Sequence, residues 1–198
     1  MKTILLPVLF LCALRAYSQG TFVYDQQSAD ETTGGGVTVT IQPNQPLGQS
    51  FSPTLSSVGF IRLNVGDTAA NGLGATLYVN LRSGSITGPI LASSDPVALP
   101  DGFFGYPDFL FHTPVDVTPN VPYFFQPVVQ SGDLWVAIAY PYGYLGGTAF
   151  RQGTPIPSDL WFREGIVVPE PSSRTFLLAG IGLLLAWRVL INFRPTRC

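Results

Sequence analysis

Residues 19–168 contain no cysteine, no lysine and no methionine. Without thiols this stretch can form neither a disulfide framework nor a thiolate metal site, so an apolar core has to hold its fold. Histidine is almost missing too. His112 is the single one in the chain, whereas a zinc centre needs three or four ligands. Positive charge is scarce: the same stretch carries eleven acidic residues against four arginines (Arg62, Arg82, Arg151, Arg163), a net charge near −7. An acidic domain with four scattered cations is a poor match for a phosphate backbone, which argues against nucleic acid as a partner. No Gly-x-Ser-x-Gly elbow occurs. Gly34-Gly35-Gly36 lacks the spacing and the strand-to-helix context of a phosphate or dinucleotide loop. Amphipathic helices are absent as well. Outside the two ends no ten-residue stretch has helical periodicity, and the proline spacing breaks most candidates.

Short runs rich in β-branched and aromatic residues fill the space instead, at 21–25, 37–42, 57–65, 76–82, 89–93, 109–111, 123–130, 134–139, 148–151 and 160–167. Turn dipeptides fall between them, at Asn71-Gly72, Ser83-Gly84, Asp101-Gly102 and Ser131-Gly132. Alternation is clear in one run: Leu77, Val79 and Leu81 share one face, and Tyr78, Asn80 and Arg82 share the other. About nine or ten short strands, with turns every 8–12 residues or so, predict an all-β domain, an antiparallel β-sandwich or jelly roll. Residues 30–36, polar and Gly-rich, are expected to be a loop. Roughly 150 residues suit one domain.

The two ends differ from this pattern. Behind Met1-Lys2, residues 4–14 form an apolar core, and Ala16 and Ser18 put small residues at the −3 and −1 positions of a cleavage site before Gln19. Residues 1–18 are therefore expected to be a signal peptide. Cys12 sits inside that core behind the bulky Leu11, which disfavours a lipoprotein cysteine. At the other end comes Val168-Pro169-Glu170-Pro171-Ser172-Ser173, then an apolar run at 176–193 whose one charge is Arg188. A bilayer core needs roughly 20 helical residues, so residues 176–193 are expected to be a transmembrane helix of barely sufficient length. Arg188 near its end can snorkel to the head groups. With Arg194 and Arg197 it forms a basic tail that places this end in the cytoplasm, and Arg174 on the other flank weakens the bias without reversing it. Pro169 and Pro171 lack an N–H and fix φ, so the segment between them should be extended and exposed.

Pro169-Glu170-Pro171, the apolar run and the trailing arginines resemble the PEP-CTERM sorting signal of Gram-negative bacteria. The resemblance covers about thirty residues of the sequence, from Val168 to Arg197. It implies an exported protein, held first as an inner-membrane-anchored precursor and then recognised and cut near the Pro-Glu-Pro by an exosortase. It also implies a destination at the cell surface or in the extracellular matrix, where such proteins are often linked to extracellular polysaccharide and biofilm. One departure stands out: residues 189–193 interrupt the arginines, where the usual signal ends in a compact cluster. A permanent C-terminal anchor is the competing account of the same run.

A second resemblance lies in the domain. The order Gln49-Ser50-Phe51, Val58-Gly59-Phe60-Ile61-Arg62-Leu63, Leu77-Tyr78-Val79-Asn80-Leu81-Arg82, Gly88-Pro89-Ile90-Leu91-Ala92, then Pro114-Val115-Asp116-Val117 and Tyr123-Phe124-Phe125 looks like secreted bacterial jelly-roll modules. These are similar in outline to carbohydrate-binding sandwiches. The pattern mostly records strand order, so it speaks to the fold.

Little in the inventory supports catalysis. His112, between Phe111 and Thr113, is expected to be an ordinary strand-end histidine. Paired carboxylates for glycoside hydrolysis stay open, because the fold sets their separation. Binding is easier to build. Tyr140-Pro141-Tyr142-Gly143-Tyr144 sets three tyrosines around a turn, and tyrosine offers an apolar face and a polar tip that can stack on a sugar ring. Tyr140, Tyr142, Tyr144 and Trp161 are the stacking candidates, against the simpler account that they cap the sandwich. Asp101, Asp108 and Asp116, and separately Asp25, Asp30 and Glu31, supply hard oxygen ligands for a structural Ca²⁺. Neither set has calcium-loop spacing, and solvated turn aspartates are the simpler account, so no cofactor is expected.

The resulting expectation has three parts: signal peptide 1–18, β-sandwich 19–167 and sorting signal 168–198. The protein is expected to be a non-enzymatic exported surface or matrix protein whose partners are the export machinery, an exosortase and the membrane. A carbohydrate-binding module for exopolysaccharide is the alternative, and a secreted hydrolase ranks behind both.

Overall fold

Sixteen strands are present among the residues that the computed structural model describes, 20–69 and 71–169. They are β1 (Thr21–Gln27), β2 (Val37–Thr40), β3 (Gly48–Phe51), β4 (Ser57–Leu63), β5 (Val65–Asp67), β6 (Ala75–Ser83), β7 (Ile90–Ser93), β8 (Val97–Leu99), β9 (Phe104–Gly105), β10 (Asp108–Asp116), β11 (Tyr123–Gly132), β12 (Trp135–Tyr140), β13 (Ala149–Arg151), β14 (Thr154–Ile156), β15 (Asp159–Leu160) and β16 (Phe162–Val168). The one helical turn among the described residues is a 3-10 turn at Gln42–Asn44. The predicted signal peptide, Glu170, Pro171, the predicted membrane helix at 176–193 and Arg188, Arg194 and Arg197 lie outside the described residues. Among those described, no helix is long and apolar enough to cross a membrane.

The strands form three sheets, in the orders β1-β16-β4-β10, β14-β13-β3-β11-β6-β7 (with β8 also on β6) and β15-β12-β5-β9 (with β2 also on β12). Pairings run antiparallel, as at β11 with β6 and β16 with β4. β1 runs antiparallel to β16 as well: the Ser28 N–H donates to the Phe162 carbonyl at 3.1 Å, while Gly165 packs on Val23 and Tyr24. A Cβ at Gly165 would overlap the Val23 carbonyl, so glycine is what lets the two backbones approach.

One core draws on all three sheets. Leu77, Val79 and Leu81 point into it with no exposed surface, as the alternation of that run predicts. Phe162 of β16 lies 5.1 Å from Phe125 of β11 and 6.3 Å from Phe51 of β3, ring centre to ring centre. Tyr144 meets it edge-on at 5.2 Å. Removing such aromatic area from water is the main stabilising term available to a thiol-free domain. The stretch Phe22–Val168 forms one compact unit.

More strands are present than the expected nine or ten, for two reasons. The runs 57–65 and 160–167 are each cut by one residue, Asn64 and Trp161, where the chain passes from one sheet to another. At that step the Asn64 carbonyl accepts from the Ile138 N–H at 3.1 Å, and the Trp161 N–H donates to the Ile138 carbonyl at 2.8 Å. β12 thus bridges the two broken strands. The other additions, β3, β8, β9 and β14, have two to four residues each. That is too short to display a period.

Candidate functional site

The tyrosines after β12 separate into two groups. Tyr140 is 45% exposed, and its ring lies 5.5 Å from that of the half-buried Tyr142. The Tyr142 hydroxyl donates to the Gly35 carbonyl at 3.4 Å. Gly36, at φ +128°, lets this loop come so close, since a Cβ there would strike Ile138. Burial, and after it the neighbouring Tyr106 and Tyr140, pushes the Tyr142 hydroxyl pKa above its usual value.

Tyr106 is the residue the sequence did not single out. It follows β9, is 36% exposed, and lays its ring 4.5 Å from that of Trp161. Trp161 itself is 1% exposed, so it floors the patch and is not a contact surface. Its Nε1–H donates to the Asp30 carbonyl at 3.2 Å, and Ala29, Ile138 and Tyr142 pack around it.

Tyr144 turns the other way. Its hydroxyl donates to Gln26 Oε1 at 3.1 Å and accepts from the Ser52 N–H at 3.4 Å. Burial comes first, and with the surrounding acidic groups it pushes the Tyr144 pKa up to about 12. The loop is pinned from below: the Tyr144 N–H donates to buried Asp159 at 3.1 Å, and Gln49 donates to the same carboxylate at 3.1 Å. A shallow pocket of about 250 Å³ lies here, lined by Tyr144, Thr148 and Asp159 among others.

The two acidic sets do not gather into metal sites, and among the described residues no cluster of three or more His, Cys, Asp or Glu is placed to hold an ion. Asp108 instead grips Arg62 through two bonds, at 2.7 and 2.9 Å. Glu31 joins Arg62 and Arg163, each at 2.6 Å, and Arg163 lies 3.4 Å above the centre of the Tyr24 ring. Burial raises the Glu31 pKa, but hydrogen bonding to Arg62 and the two arginine charges outweigh it and hold the carboxyl below its usual range. Hydrogen bonding to Asp108 is the largest influence raising the Arg62 pKa. Asp30 accepts from the Thr32 N–H at 2.9 Å, a local turn. Asp101 accepts from the Asn71 N–H at 3.0 Å. Asp116 sits on β10 opposite Ser57.

One acid is out of the ordinary. Glu164 of β16 has no exposed surface; no hydrogen bond of good geometry reaches its carboxyl oxygens, although the Asp25 side chain and the Gln26 backbone lie near enough to act on it. Burial first, then the Asp25 carboxylate, pushes its pKa up to about 9. Asp25 goes the other way: hydrogen bonds from the Leu55 and Thr54 N–H groups and the Thr54 hydroxyl overcome its own burial and keep it low. A protonated acid beside an ionised one has the electrostatics of a glycosidase pair. Here, though, substrate cannot reach Glu164. His112 is exposed on β10 and, among the described residues, bonds to no serine or carboxylate.

β16 ends at Val168, and Pro169 after it is exposed. The PEP-CTERM protein-sorting motif matches residues 167–189. The match takes in Pro169-Glu170-Pro171 and Arg188 and ends before Arg194 and Arg197. No curated protein and no solved structure matches this chain.

Proposed function

Proceeding from a chain that carries the PEP-CTERM sorting motif, and so is an exported protein addressed to an exosortase, we propose a non-enzymatic cell-surface or matrix protein. Its β-domain is delivered by the sorting route and serves a structural or adhesive role. The observation that carries this is the junction. The motif begins inside the last two residues of β16, so the sandwich passes into the sorting signal with no linker. An exposed proline directly after a hydrogen-bonded strand puts the motif that a membrane protease reads next to a folded stop.

The absence of an enzyme assignment rests on inventory and access. The single histidine has no catalytic partner among the described residues, and the one acid poised to donate a proton has no exposed surface. C-terminal mass spectrometry of protein recovered from culture tests the route. Mature protein should end near Pro169-Glu170-Pro171 and lack residues 176–193. If it retains them, the chain is permanently anchored and the sorting account fails.

A second reading, a carbohydrate-binding module for exopolysaccharide, is favoured by one observation: tyrosine rings from separate segments are exposed around Trp161.

A further inference from the structure

We infer that Tyr106, Tyr140 and Tyr142, on the floor made by Trp161, form a binding site for an uncharged polysaccharide. The inference rests on the second reading above and is independent of how the tail is processed.

Three observations identify the ligand. First, the surface is amphipathic. Tyr106 and Tyr140 are exposed rings, and a tyrosine joins an apolar face that suits the CH groups of a sugar to a hydroxyl that suits its polar edge. Second, the site is held in place before any ligand arrives. Trp161 is tied to Asp30 through Nε1, Tyr142 to Gly35 through its hydroxyl, and the following loop to Asp159, which Gln49 holds in turn. A ligand therefore meets rings whose freedom is already restricted, which reduces the entropic cost of binding.

Third, charge selects against an anionic chain. The domain is acidic, and its four arginines are engaged elsewhere: Arg62 with Asp108 and Glu31, Arg163 with Glu31 and Gln27, Arg82 with Gln126 and Gly88, Arg151 with Asn44. Among the described residues no arginine is left over to hold a uronate or a phosphate beside the tyrosines.

Position agrees. The patch gathers at the Trp161 end of β16, while the chain leaves the sandwich at the Val168 end. Seven residues of strand separate the two, about 23 Å. A site there stays clear of the end that a membrane protease handles.

The rings sit at 45° and 56° to their partners, so they do not form one flat platform. They suit a twisted chain that presents successive sugar faces at different angles better than a flat crystalline surface.

Affinity electrophoresis of the exported, processed protein tests this, in gels cast with dextran, xylan, mixed-linkage β-glucan, galactomannan or the producing cells' own neutral polysaccharide. Alginate serves as the anionic comparison. At least one neutral polymer should retard the wild type, and alginate should not. Tyr106→Ala/Tyr140→Ala should bind roughly tenfold more weakly while keeping a cooperative melting transition, lowered by the packing that Tyr106 gives Trp161. Tyr78→Ala, on the outward face of β6, should bind as wild type. No retardation by any neutral polymer, retardation by alginate alone, or wild-type retardation of the double variant would each overturn the inference. None of these results bears on the mature C-terminus, so failure of the site and failure of the sorting route are told apart.

Discussion

The Glu164 carboxyl and the Asp25 carboxylate face each other from neighbouring strands, one protonated because it is buried and the other ionised because hydrogen bonds from Leu55, Thr54 and Gln26 hold it. Folding therefore takes up a proton. An unfolded Glu164 releases it near the ordinary value of 4.5, and the folded one keeps it up to about 9. Below the lower value both states are protonated and this group adds no pH dependence. Between the two values the unfolded state is favoured progressively, and above the upper one the loss levels off. From pH 5 to pH 7.5 the loss is roughly 3 kcal/mol. Glu164→Gln removes the titration while keeping the shape. We expect the variant to melt above wild type at pH 7.5, with the difference shrinking toward pH 5. Parallel melting curves across that range would show that Glu164 does not hold the proton.

Glu31 solves a problem set by strand register. Arg62 and Arg163 lie directly opposite each other on β4 and β16, and like charges in that position repel. Glu31 reaches both. In Glu31→Ala the two cations are left facing, with Asp108 still on Arg62. The expected cost is about 1 kcal/mol at low salt. It should diminish toward 1 M salt, where screening acts over about 3 Å. A denaturant titration at two salt concentrations reads this; a cost that ignores salt would point to lost packing instead.

What the sequence made legible was local. Leu77, Val79 and Leu81 declared their face because alternation is a short-range signal, and Pro169-Glu170-Pro171 is a linear motif that needs no fold to be recognised. β3 shows no alternation because all four of its residues are buried. The breaks at Asn64 and Trp161 depend on β12, more than twenty residues from either. Tyr106, between Gly105 and Pro107, carries no local signal, and its ring acquires meaning only when Trp161 arrives beneath it. Tyr144 was grouped with its neighbours by spacing, but Gln26, 118 residues away, decides where its hydroxyl goes. Glu164 follows Arg163 in the sequence like an ordinary pair of surface charges. Nothing local shows that its carboxyl is buried beside Asp25.

The division between Tyr140 and Tyr144 can be measured with one oxygen atom each. Tyr144→Phe deletes a hydroxyl with two partners, Gln26 and Ser52, and leaves Gln26 and a backbone N–H short of a bond. About 1 kcal/mol of stability should be lost, with polysaccharide retardation unchanged. Tyr140→Phe should leave thermal stability within about 0.5 kcal/mol, since a surface substitution away from such a network costs little. Equal stability losses in the two variants would mean that both hydroxyls belong to the frame.

The boundary of the folded unit makes the last prediction. β16 lies inside its sheet, paired on one side with β1 and on the other with β4, and Phe162 and Glu164 on it are fully buried. A chain ended after Val168 keeps every one of these contacts, so its melting temperature should fall within a few degrees of the whole protein's. A chain ended after Trp161 loses the strand, the Phe162 contacts with Phe51, Phe125 and Tyr144, and the edge that β1 needs. Removing a fully buried Phe side chain alone costs about 3–5 kcal/mol, a large part of what a domain this size has to spare. This shorter chain should show no cooperative melting transition by circular dichroism. The same boundary limits the protease that reads the sorting motif. A cut at or beyond Pro169 releases an intact sandwich, whereas a cut within β16 would have to open the sheet first. Mature protein should therefore never end inside residues 162–168, and a major mass-spectrometric species ending there would show that β16 is not locked when the chain is processed.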